Sequence, residues 1–125
     1  MEKAKIGIFD DREEIRYLLG TRLIAQGHEV VVEADSLGAA GQVISHLAPG
    51  DIDIALLDGN FSAGRLDSRE GQIIARLLRA KLENTVRIIN ISGSDVPIED
   101  ADVQIPKDNF GAIQADIAAY QPNES

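Results

Sequence analysis

Between Ile52 and Leu57 every residue but Asp53 is apolar, and at Asp58 the run stops. Such a short, nearly continuous apolar run suits a strand covered on both faces. A sheet is covered on both faces when helices wrap it from either side, so this run calls for a layered α/β fold. The rest of the chain supplies matching pieces. Ile6 to Phe9, Val86 to Ile91 and Val103 to Ile105 are further short strands, and His28 to Val32 is a strand rich in β-branched residues. Segments at helical spacing alternate with them. Ile15, Leu18, Leu19 and Leu23 form the first, closed by Gly27; Leu37, Ala40, Val43, Ile44 and Leu47 form the second, capped by Ser36 and ended by Pro49-Gly50. Ile73, Ile74, Leu77, Leu78 and Leu82 lie on one side of a third, which Glu70-Gly71 open. Phe110, Ile113 and Ile117 are the inner stripe of a last helix from about Asn109 to Tyr120. The expected product is an open, doubly wound, five-stranded parallel sheet with four or five helices.

Bulk properties narrow the function. The 125 residues suit one domain, residues 1–120, with 121–125 as a frayed tail. With 21 acidic and 12 basic residues the net charge is -9, which disfavours a nucleic-acid or anionic-membrane surface. There is no cysteine, hence no disulfide framework, thiolate metal site or Cys nucleophile. No apolar stretch is long enough to span a membrane, and the N-terminal run is too short for a signal peptide, so a cytoplasmic protein is expected.

In a sheet of this kind ligands bind beyond the carboxyl ends of the strands. Strand one delivers Asp10 and Asp11 there, strand three Asp58, strand four Ser92, and strand five Lys107 just past its end. Three carboxylates brought together repel one another, and a hard divalent cation such as Mg²⁺, bound through oxygens and waters, relieves that repulsion. A lysine and a hydroxyl beside them suit an anion. The combination is a site for a metal next to an acidic or phosphorylated group.

Those five residues, each in order at a strand end, resemble the receiver domains of bacterial response regulators, and the resemblance spans roughly residues 3 to 120. It implies a flavodoxin-like, CheY-like sheet of strand order 2-1-3-4-5. It also implies that Asp58 is the nucleophile that accepts a phosphoryl group from a phosphohistidine. Asp11 would ligate Mg²⁺ directly, Asp10 directly or through water, and the backbone carbonyl of Asn60 would complete the protein's share of the metal shell with Asp58. Ser92 would bind a phosphoryl oxygen and Lys107 would pair with Asp58 or its phosphoryl group. The implied partners are a sensor histidine kinase or histidine phosphotransfer protein and a downstream protein. No DNA-binding domain is expected to follow, so the expected output is by protein contact or by relaying the phosphate onward.

Several features depart from that family pattern. Receivers usually place Pro directly after the lysine in a cis bond; here Pro106 precedes Lys107, and a trans Ile105-Pro106 bond is expected. Gln104 stands where the family usually has Tyr or Phe. The stretch between Ser92 and Lys107 is too short for a full fourth helix, so that helix is expected to be absent or reduced to a turn. The loop from Gly59 to Arg69 is long, and reads first as a tolerated surface insertion.

Each residue also has a plainer reading. Asp10-Asp11 alone would be a helix N-cap with first-turn acid, Asp58-Gly59 a turn, Ser92-Gly93-Ser94 a loop and Lys107 a solvated lysine. His28 and His46 have no second ligand at metal spacing and read as surface residues. Gly38 and Gly41, inside the second helix, read as sites of close packing. Arg12, Arg65 and Arg69 lie near the rim and read as solvated charge that could touch a phosphate. Two other functions compete with a phosphorylated receiver. One is a receiver-fold interaction module that works without phosphorylation. The other is an Asp-nucleophile phosphohydrolase, disfavoured because Asn60 stands where such enzymes need a second Asp.

Overall fold

The computed structural model describes residues 3–58, 69–91, 98–106 and 108–120. Its elements run β1 (Lys5–Phe9), α1 (Glu13–Ala25), β2 (Glu29–Ala34), α2 (Leu37–Ser45), β3 (Ile54–Leu57), α3 (Arg69–Leu82), β4 (Arg87–Asn90), β5 (Val103–Gln104) and α4 (Phe110–Ala119), with one 3₁₀ turn at Glu83–Thr85. The five strands form one sheet in the order β2-β1-β3-β4-β5, and every pairing is parallel. That is the doubly wound sheet expected from the sequence. β3 is its centre, and all four of its residues are buried.

Period-two alternation along the strands splits the core into two layers. Phe9, Ala55, Leu57 and Ile88 point to the side of α2 and α3, where they pack on Ile44, Ile74 and Leu78. Ile6, Ile8, Ile54, Leu56 and Ile89 point to the side of α1 and α4, where they meet Leu19, Leu23, Ile113 and Ile117. The Ser36 cap forms as expected, its hydroxyl accepting from Ala39 N–H at 3.1 Å, and Asn109 caps α4 in the same way through Ala112 N–H. At Gly7 a side chain would meet Val32 Cγ2 at 2.9 Å, so glycine lets β1 and β2 approach.

Some expectations fail on which face an apolar residue occupies. Leu18, Ile73 and Leu77 are exposed, because each apolar set was wider than the stripe that one sheet face can cover. His28 is buried rather than at the surface. It follows Gly27, whose φ of 93° turns the chain sharply out of α1 and tucks the imidazole against β1, where Nδ1 accepts from Ala4 N–H at 3.1 Å. Burial holds its pKa below the usual 6.5. His46 is exposed, as expected. Gly38 and Gly41 are not close-packing sites: nothing lies within 4 Å of an added Cβ at either.

Among the described residues no helix lies between β4 and β5. Residues 98–102 there are tied down by α3 instead. Arg79 donates to the carbonyls of Glu83, Val86 and Asp100 and to the Asp102 carboxylate, while Gln72 both donates to Asp100 and accepts from Glu99 N–H. Ile98 closes the α3 side of the core beneath them.

Candidate functional site

Because all strands are parallel, Phe9, Ala34, Leu57, Asn90 and Gln104 end on one rim. The backbone ladder continues one step past the strand ends and sets what lies beyond. Asp10 N–H donates to Ala34 O at 3.2 Å and Asp58 N–H donates to Phe9 O at 3.0 Å. Asp58 is thereby registered against the β1 terminus from which Asp10 and Asp11 project. Carboxylate oxygens of Asp10, Asp11 and Asp58 lie within 4.8 Å of one another. Asp10 is fully buried, Asp58 is 3% exposed and Asp11 is half-buried.

The Asp10-Asp11 corner is not a helix cap. The N-cap of α1 is Arg12, whose side chain makes no capping bond; Asp10 Oδ1 instead accepts Arg12 N–H at 2.9 Å, a turn closed two residues on. Arg16, one turn into α1, donates to Asp10 O at 2.8 Å and pairs with Glu33 of β2 at 3.5 Å. Arg12 pairs with Glu14 at 2.9 Å. That hydrogen bond is the main reason its pKa is raised, with smaller contributions from the Asp10 and Asp11 charges, and the same pairing lowers that of Glu14.

Three carboxylates this close repel by on the order of 3 kcal/mol per pair at an effective dielectric of about 20. The donor set is all oxygen and anionic, which suits a hard divalent cation such as Mg²⁺ and is wrong for a thiophilic metal. Asp58 offers the further chemistry of a carboxylate nucleophile at the end of a buried strand.

Asn60, Ser92 and Lys107, expected at the same rim, lie outside the described residues, as do Arg65, most of the loop after Asp58 and the 121–125 tail. Their neighbours are placed: Ile91 N–H donates to Leu57 O at 2.9 Å and Ile105 N–H to Asn90 O at 2.9 Å, so the segments leading to Ser92 and Lys107 reach this rim. Ile105-Pro106 is trans, with no cis bond among the described residues, and Gln104 is exposed. Two participants were missed from sequence. Arg16 reads as a solvated helix cation until its carbonyl and carboxylate partners are seen. Asn90 is a polar residue, fully buried, at the carboxyl end of β4, whose other residues are Arg87, Ile88 and Ile89.

No family model matches the chain, and no curated protein matches it by sequence. Solved structures do. The response regulator TrrA of Thermotoga maritima, determined in complex with Mg²⁺-BeF, matches with a TM-score of 0.70 at 24% identity, covering 92% of this chain and 96% of that one. A CheY-like receiver domain from Methylobacillus flagellatus matches with a TM-score of 0.75 at 18% identity, covering 94% and 98%. The signal receiver domain of NarL from Mycobacterium tuberculosis matches with a TM-score of 0.67 at 26% identity, covering 96% and 100%. The chain has the receiver-domain fold. This receiver-like chain carries its acidic cluster at the rim where a doubly wound sheet binds ligands. Among its described residues no helix is long and apolar enough to cross a membrane.

Proposed function

We propose that this chain is a phosphoacceptor receiver of a two-component or phosphorelay system, with Asp58 as the acceptor. The observation that carries the reading is the meeting of Asp10, Asp11 and Asp58 within 4.8 Å at the strand ends. An Asp58 oxygen attacks the phosphorus of a phosphohistidine; the new O–P bond forms as the P–N bond breaks, and the imidazole nitrogen leaves with the electron pair and takes up a proton. Asp10, Asp11, Asp58 and the Asn60 carbonyl hold Mg²⁺, which when bound neutralises the carboxylates and the incoming phosphoryl oxygens. Ser92 donates to a phosphoryl oxygen, and Lys107 pairs with Asp58 or its phosphoryl group. Hydrolysis of the acyl phosphate resets the switch. The donor is a sensor histidine kinase or phosphotransfer protein, the setting is cytoplasmic, and output runs through contacts with a downstream protein.

One observation favours a second reading, an interaction module that works without phosphorylation. Gln104 is exposed on β5, where the resemblance leads one to expect an aromatic switch residue. Incubation with Mg²⁺ and acetyl phosphate followed by intact-mass measurement separates the two. The receiver reading expects a single phosphate adduct that Asp58→Asn lacks. No adduct in the unaltered protein favours the second reading, and steady phosphate release from unrelated esters points to a phosphohydrolase.

A further inference from the structure

We infer that Arg16 is a positioning residue for the cation site, setting the direction of Asp11 by gripping the peptide between it and Asp10. The inference rests on the receiver reading above and concerns how the site is held.

Asp10 O and Asp11 N belong to one planar peptide unit. Fixing that carbonyl fixes the plane from which the Asp11 side chain departs. Arg16 fixes it with a hydrogen bond of 2.8 Å. Its own guanidinium is steadied on the other side by Glu33 at 3.5 Å, so α1, the β1 terminus and β2 are linked through one side chain. The Arg16 side chain is only 16% exposed, whereas the two acids that follow Arg12, Glu13 and Glu14, face solvent. The rest of Asp10 is already held: its N–H by Ala34 O and its Oδ1 by Arg12 N–H. The Arg16 bond adds a hold on this corner at the carbonyl, and Asp11, which departs from the same peptide, is the half-buried member of the cluster. A planar fork suits the task, since one guanidinium can meet a carbonyl and a carboxylate together, which a single ammonium does less well.

Positioning and simple charge predict opposite signs. A cation beside three carboxylates opposes Mg²⁺ by Coulomb repulsion, so if charge were its whole effect, removing it would tighten binding. If Arg16 orients a ligand, removing it weakens binding, in line with the tenfold or greater losses typical when a metal ligand's supporting partner is removed.

The test is calorimetric titration of Mg²⁺ into the full chain, with a thermal melt of each metal-free variant alongside. Arg16→Met is expected to weaken Mg²⁺ about tenfold at a temperature where it remains folded, and Arg16→Lys severalfold. Unchanged or tighter binding by both variants overturns the inference. Should Arg16→Met fail to fold, Arg16→Lys carries the test: weaker binding supports it and unchanged binding overturns it. Asp11→Asn separates the two levels. If the unaltered protein binds no Mg²⁺, or Asp11→Asn binds it equally well, the receiver reading fails and this inference falls with it. If Asp11→Asn loses binding while the Arg16 variants keep it, only the inference about Arg16 fails.

Discussion

Asp10 and His28 show how differently two buried polar residues can be read from the same chain. Asp10 was legible because it ends an apolar strand beside a second acid, and the topology of a parallel sheet says what strand ends do. His28 was not legible, since nothing in the sequence signals that Gly27 folds the ring back onto Ala4 N–H. That bond requires Nδ1 to be unprotonated, so protonating the ring turns an acceptor into a donor facing a donor. The folded-state pKa of His28 lies below its unfolded value of 6.5 through burial. Unfolded chain therefore binds the proton more readily, and the contribution of His28 to stability is present in full above pH 6.5 and declines as pH falls below it. Melting temperatures measured from pH 7.5 downward should fall more steeply for the unaltered protein than for His28→Gln. Parallel curves would show that the ring is not acting in this way.

At the scale of elements, strand positions and the Ser36 cap were readable because alternation and capping are local signals, while helix faces were not. Ile73 and Leu77 joined the apolar list of α3, yet of that list Ile74, Leu78 and Leu82 are buried and these two are exposed. In α2, Gly38 and Gly41 have open space where a methyl would go and no positive φ. Gly38→Ala and Gly41→Ala should each raise the free energy of unfolding by about 1 kcal/mol through helix propensity, read from denaturant midpoints. The connection from β4 to β5 was legible as too short for a full helix. Its attachment was not, because pairing Arg79 with Asp100 and Asp102 takes knowledge of which elements adjoin. Arg79 serves four acceptors at once, and Arg79→Met leaves them to water or to nothing. It should destabilise by roughly 2 kcal/mol while leaving Mg²⁺ affinity unchanged, since the network is built on residues other than the three acids. Loss of Mg²⁺ affinity in Arg79→Met would show that the two regions are coupled.

At the scale of the whole molecule, two apolar layers hold together a rim that is electrostatically unfavourable by itself. Asp10, Asp11 and Asp58 are brought together by burial elsewhere, and the folded chain alone presents them as a set. A cation that binds this set and not the unfolded chain stabilises the fold, by about 2.7 kcal/mol at a hundred times its dissociation constant. Mg²⁺ should accordingly raise the melting temperature beyond what sodium does at equal ionic strength, and Asp58→Asn should melt higher than the unaltered protein without Mg²⁺ because it removes one repelling charge. The most direct measurement treats the protein with Mg²⁺ and acetyl phosphate, reduces the product with borohydride and locates the modified residue by peptide mass spectrometry. An acyl phosphate on Asp58 would be reduced there to homoserine, and that is the expected result. Full-length protein with residue 58 unmodified, or homoserine at Asp10 or Asp11 instead, would contradict the account.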